Sequence, residues 1–335
     1  MKVTNIEPII EKIRNTVNSH CIDKGQYSRW IWQNEEGNRD LGINEYGCAD
    51  AANILYTIGD FPCESSEREK WITTMQNMQN PKTGMFNEAT HQTLHTTAHC
   101  IAALELFDAK PKYEITKKYK SVEALYNLLD NLDWKNHPWT ESHNGAGIYV
   151  IMNLTDNADE KWNDAYFEWL WNESDENTGL FGKSAIANRG VKYFEYMAGT
   201  FHYLFNLEYA RMPLKYPEKL IDICLWMYKN IDNGELGEDF LNKIAFIQVD
   251  WVYCITRALR QCGHRYAECI SVLEDFAEKY IDYLMNIDEQ TVDDFNDLHL
   301  LFGCVCCIAE LQQTLKGKIK TKKPLRLVLD RRPFI

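Results

Sequence analysis

Several features that would place this chain in a familiar class are missing. No uninterrupted apolar stretch reaches the roughly 20 residues needed to cross a bilayer, so a membrane protein is not expected. The opening MKVTNIEPIIEKIRN carries charges throughout and has no apolar run, so no secretory leader is expected. There is no Gly/Ser/Pro-rich linker and no shift in composition to divide the 335 residues, and the period-2 alternation of half-buried strands is scarce. The 11 cysteines are plentiful but odd in number and lack framework spacing, so reduced thiols and a cytoplasmic location are the expectation. Cys306 and Cys307 are adjacent, a poor spacing for zinc.

Basic residues are also scarce over most of the chain. The formal charge is −13, yet residues 316–335 (KGKIKTKKPLRLVLDRRPFI) hold eight basic side chains and one acidic, leaving a strongly acidic body. Such a body repels nucleic acid and anionic lipid, and neither is expected as a partner. The expected organisation is a single domain over 1–315 followed by a basic extension, 316–335, lying against the acidic body.

What is present is a repeat. A stretch of small and apolar residues opens at Tyr46 (YGCADAANILYTIG) and returns at His95, Asn144, Tyr193, Phe246 and Asp297, in steps of 49, 49, 49, 53 and 51 residues. A fixed period in this range signals a repeat architecture. Each stretch is apolar on nearly every side, as a buried helix must be. Each follows a segment with one charged and one apolar face: Ile6–Cys21, Ser66–Met78, Tyr113–Leu132, Glu160–Asn172, Pro217–Asn230 and Tyr266–Asn286. Six helical hairpins result, and the expected fold is all-α: an (α/α)6 toroid with a buried inner ring and an amphipathic outer ring. The loops entering the inner helices are long, and loops of that length in compact domains tend to be functional. All six enter one end, which should form a concave bowl.

Two of these loops share a phrase, NPKTGMF (80–86) and DENTGLF (175–181). With the hairpin count, they resemble the six-hairpin glycosidase superfamily, whose members carry D/N-P-x-T-G-x-[FW] turns before inner helices. Terpenoid cyclase and protein prenyltransferase toroids share the architecture. The resemblance to glycosidases implies a carbohydrate-active enzyme, most simply a glycoside hydrolase acting on small oligosaccharides.

Ionised side chains are seldom buried without partners, so acids on apolar inner helices stand out. Asp50 and Asp250 are the expected acid and base across a sugar ring, joined by Glu195 at the start of the fourth inner helix. His95, His99, Tyr193, Trp251, His299, Arg189, Phe86 and Phe181 are the expected substrate contacts, Arg189 being suited to a uronate carboxylate. Flat aromatic faces interleaved with polar groups suit a sugar. His91, His95 and His99 share one helix face and are read as neutral hydrogen-bonding groups, so no metal or cofactor is expected. The string DDFND (293–297) matches a magnesium–diphosphate motif but sits at a helix start, where acids cap.

Other readings remain. A sugar epimerase or isomerase would use His95, His202 or His299 as bases, and a lyase would use a Tyr or His. A prenyltransferase-like site would use Asp250 and His299, but Val252 occupies the place of the required thiolate. A toroid that binds a ligand without turnover is the non-catalytic alternative. The oligomeric state is open.

Overall fold

The computed structural model describes residues 1–115, 117–188 and 191–335. Among these residues the chain is about 60% helical, with 15 α-helices and four strands of two or three residues. Twelve helices are eight residues or longer. They are α1 (Glu7–Ser19), α2 (Glu45–Ile58), α3 (Ser65–Met78), α4 (Thr93–Leu106), α5 (Val122–Leu129) and α6 (Pro138–Leu154). The second half adds α7 (Glu160–Asn172), α8 (Tyr193–Ala210), α9 (Pro217–Lys229), α10 (Phe246–Gln261), α11 (Tyr266–Asn286) and α12 (Leu298–Thr314). No helix among the described residues is long and apolar enough to cross a membrane.

The even-numbered helices are the small-residue stretches, and they are buried on nearly every side. Each packs on the next, α2 on α4, α4 on α6, α6 on α8, α8 on α10 and α10 on α12. The succession closes where α12 returns to α2. Small side chains allow the close approach: a Cβ on Gly147 would sit 3.1 Å from the Leu94 carbonyl of the neighbouring helix. The odd-numbered helices bury one stripe and wet the other. In α1 the stripe is Ile9, Ile10, Ile13, Thr16 and Val17, and α1 lies on α2.

The shared loop phrase has a structural meaning. In each turn the first side chain, Asn80 or Asp175, accepts from the backbone two and three residues on. The glycine that follows the threonine, Gly84 or Gly179, has φ of 72° or 73°, a conformation that costs glycine little. A Cβ there would lie 2.2 Å from the Glu114 carbonyl or 2.6 Å from the Leu220 amide. The turn ends when Phe86 or Phe181 donates its N–H to the hydroxyl of an inner-helix threonine, Thr97 or Thr200. These turns therefore clamp α4 and α8 to their hairpins.

Two boundaries differ from expectation. Tyr113–Leu132 is not one helix: after a short 3-10 turn, Ser121 caps a new start and only Val122–Leu129 is α-helical. The third inner helix starts six residues earlier than its small-residue stretch, because Pro138 is pre-set for the first helical position. Glu141 and His143 thus lie within α6.

Residues 316–335 run across the end opposite the long loops. Ile319–Lys320 pairs in parallel with Thr4–Asn5. Lys322 meets Glu7 and Glu11, Lys323 meets Asp60, and Arg331 meets Glu105 and Asp108. A short helix, Val328–Arg331, then leads Arg332, Phe334 and Ile335 into the core, where all three are buried.

Candidate functional site

The centre of the helix succession, at its long-loop end, is lined with imidazole. Six of the nine histidines meet there: His91, His95 and His99 from the α4 region, His143 from α6, His202 from α8 and His299 from α12. Ring centroids are 4.9 Å apart for His91–His95, 4.3 Å for His95–His143, 4.5 Å for His143–His202 and 5.2 Å for His91–His299. Tyr46, the second residue of α2, stacks on His91 at 4.4 Å and on His99 at 4.9 Å. Its hydroxyl shares a hydrogen bond with His95 Nδ1. His91 and His143 are partly exposed, and the other four are buried.

Asp50 lies beneath this layer with no exposure. His99 Nε2 donates to it at 2.8 Å, and His299 Nδ1 lies 3.2 Å from each carboxylate oxygen. Burial by itself would raise the Asp50 pKa, but His299 and His99 hold the carboxyl well below the usual range. Burial lowers the imidazoles in turn: His299 to about 4, despite Asp50, and His202 to about 3. His95 and His143 are driven well below the ordinary value, first by burial and then by their histidine neighbours. At neutral pH the buried centre therefore holds one carboxylate and a bank of neutral imidazoles.

Arg29 ties the mouth together. It forms a two-pronged pair with Asp297, Nε at 2.8 Å and Nη2 at 2.9 Å, and donates to Thr90 at 2.7 Å. Asp297 also caps α12 by accepting from the His299 amide, which fixes the start of the helix carrying that imidazole. The rest of the DDFND string serves local structure: Asp293 pairs with Arg39, and Asp294 accepts from the Ile244 amide.

From the opposite side Phe334 closes the centre, its ring 5.0 Å from His95 and 5.6 Å from Phe205. Arg332 is fully buried, 5.2 Å over the Phe302 ring, and its Nε and Nη2 have no hydrogen-bond partner among the described residues. Burial lowers its pKa to about 10, offset in part by Cys306 and Asp50. The tail thus packs against the histidine layer from the side away from the long loops.

Of the residues expected from sequence, Asp50, His95, His99 and His299 come together here. Asp250 stands apart from them in its chemistry. Both its oxygens are buried without a hydrogen-bond partner among the described residues, and burial alone pushes its pKa well above the ordinary value. Trp251 points outward from α10, donating to the Cys224 carbonyl on α9 and stacking on Tyr228 at 5.0 Å. Phe86 and Phe181 are the buried ends of the two clamping turns. Tyr193 packs edge-on against Trp226 of α9, 5.7 Å away. Glu195 is part-buried at the mouth, where burial raises its pKa. Arg189 lies outside the described residues.

Arg29, Arg332 and Phe334 did not stand out in the sequence as members of this centre. The faint signal for the last two was an apolar Pro-Phe-Ile at the end of a basic stretch. All 11 cysteines are unpaired thiols. An open cleft of about 570 Å³ lies elsewhere, between Asp130, Trp134, Trp169 and Glu173. There the Trp169 indole already donates to Asp130, and nothing resembles the convergence of titratable groups at the histidines. Comparison with protein-family models, curated proteins and solved structures gives no match, so the site is read from its own chemistry.

Proposed function

We propose that the closed succession of even-numbered helices is the inner ring of an (α/α)6 toroid of the six-hairpin kind, and that its histidine-lined end moves protons on a small sugar. The reaction is that of an epimerase or isomerase. The observation that carries this reading is the contact chain His91–His95–His143–His202, in which burial holds the last three imidazoles neutral. Neutral imidazole accepts a proton, and its conjugate acid returns it. Support for a sugar comes from the part-exposed Trp32, Trp139 and Tyr193 at the same end.

In this reading a substrate meets the part-exposed His143 first. That imidazole takes a proton from the carbon beside a carbonyl, and the electron pair forms the C=C bond of an enediol. A neighbouring N–H or O–H stabilises the carbonyl oxygen as charge develops there. For an epimer, a second protonated imidazole delivers its proton to the opposite face while the first releases its own to solvent; for an isomer, the first returns its proton to the adjacent carbon while the hydroxyl proton passes to the former carbonyl oxygen. Tyr46 orients His95: a hydroxyl donating to Nδ1 leaves the ring proton on Nε2.

A second reading, glycoside hydrolysis, is favoured by Glu195 and Glu45, whose carboxyls at the mouth are raised by burial and suit a proton donor. One experiment separates the two. The protein is incubated in deuterated water with aldoses, ketoses, uronates and small oligosaccharides, and proton NMR follows both C–H signals and anomeric linkages. Deuterium replacing a carbon-bound hydrogen, abolished in His143→Gln, is the expected result. Cleavage of a linkage with every C–H retained would replace this reading with hydrolysis, and neither change would leave a binding toroid.

A further inference from the structure

We propose that Asp50, His99 and His299 form a binding site for a divalent transition-metal ion of the zinc type. The three side chains come from three different inner helices, α2, α4 and α12, and their candidate ligand atoms all lie within 4.8 Å of one another. The nearer separations, 2.8 Å from His99 Nε2 to Asp50 Oδ1 and 3.2 Å from His299 Nδ1 to either oxygen, are close to a tetrahedral edge. Metal–nitrogen bonds of ~2.0–2.1 Å imply an edge of about 3.3 Å. Among the described residues, this is the group of His, Cys, Asp and Glu side chains that converges in this way.

The donor set selects the ion. Two imidazole nitrogens and one carboxylate suit zinc, iron, cobalt or manganese, whereas magnesium and calcium require a shell of oxygens. Three protein ligands leave a coordination position open, as in catalytic rather than structural sites. The surroundings fit that role: Tyr46 presents its ring edge-on to His299 at 4.6 Å, and the His95 centroid lies 6.1 Å from that of His299, one layer out. On the mouth side the part-exposed His91 ring lies 5.2 Å from that of His299.

The helical-face arrangement of His91, His95 and His99 is a different site and a worse one. His91 precedes the first turn of α4, and His95 is engaged by Tyr46 and His143. The better set takes one residue from that face and two from distant parts of the chain. Loading the ion requires that the ring protons of His99 and His299 move to their other nitrogens and that the 2.8 Å contact between His99 and Asp50 opens toward the tetrahedral edge. Arg332 is the competing cation, since it shares the field of Asp50 from below.

The inference is independent of the reaction, and its test uses no substrate. The full chain is stripped with a chelator, then titrated with cobalt(II), whose visible bands report coordination number, and with zinc in competition. One equivalent of cobalt with a four- or five-coordinate spectrum, displaced by zinc, is expected. His99→Phe and His299→Phe should each weaken binding by at least about a hundredfold, more than the loss typical of outer-shell changes. Circular dichroism checks that each variant remains folded. His91→Ala and His143→Ala, which remove imidazoles outside the set, should leave affinity unchanged, and Arg332→Met should tighten it. No cobalt spectrum in folded wild-type protein would overturn the proposal. So would an unaltered spectrum in folded His99→Phe and His299→Phe, or loss of binding in His91→Ala or His143→Ala.

Discussion

Two buried aspartates illustrate how much a single position depends on its partners. Asp50 and Asp250 look alike in sequence, each an acid within a small-residue helix. In the fold Asp50 collects two imidazoles, whereas Asp250 has no hydrogen-bond partner among the described residues and burial pushes its pKa well above the ordinary value. A carboxyl whose folded pKa is raised gives its full stability below the unfolded value of about 3.9 and loses it progressively as pH rises toward the folded value. Asp250→Asn should therefore melt above the wild type at both pH 6 and pH 7, with the larger margin at pH 7. The gain should be on the order of 1–4 kcal/mol, because each pH unit climbed above the unfolded value costs the wild type up to about 1.4 kcal/mol. Thermal melts at the two pH values measure it. A lower melting temperature for the variant at pH 7 would mean that Asp250 is ionised and partnered. The sequence singled out both positions, since buried acids are conspicuous. Which of them joins the histidines was not legible, because that depends on the rotation of α10 relative to α2 and α12.

At the scale of elements, the hydrophobic pattern located the hairpins and missed what local chemistry decides. All six inner segments were legible because a helix apolar on every side has few alternatives to burial. The outer segments Glu160–Asn172 and Tyr266–Asn286 agree with α7 and α11, whereas Tyr113–Leu132 does not agree with α5. The chain there forms only a short 3-10 turn, Lys117–Tyr119, before Ser121 caps a new helix start. The tail escaped for a different reason. Its basic residues mark it as a surface strap, and it does pair with Glu7, Asp60 and Glu105, but its last residues turn inward. Phe334 has no exposure and touches His95 and Phe205. Phe334→Ala should cost about 3–5 kcal/mol, the range for removing a buried aromatic ring, as read by urea unfolding. A loss below about 1 kcal/mol, the scale of a surface change, would show that the strap holds by its ion pairs alone.

For the whole molecule, the decisive feature is that the shared centre of six helices is built from groups that resist charging. His95, His99, His143, His202 and His299 all have pKa values lowered by burial, to about 4 for His299 and about 3 for His202. In the unfolded chain each would take up a proton near pH 6.5. Between that value and the folded pKa the unfolded state binds more protons, so stability falls as pH falls. Each such histidine contributes about 1.4 kcal/mol per pH unit across that window. Asp250 acts in the other direction, gaining as pH falls, but it is one group against five. Asp50 does not relieve the loss, since its carboxyl stays ionised until well below the window. Ordinary domains have only about 5–15 kcal/mol in reserve. Urea midpoints should therefore be flat from pH 8 to 7, fall steeply below pH 6, and reach unfolding near pH 4 to 5. Because α2, α4, α6, α8 and α12 all supply side chains to this centre, protonation strains the contacts between successive even-numbered helices together, and the loss should appear as one cooperative transition. His202→Gln removes one of the five groups and should make the acid slope shallower by about 1.4 kcal/mol per pH unit. Midpoints that stay level down to pH 4 would show that the histidines are solvated and that the centre is open to water.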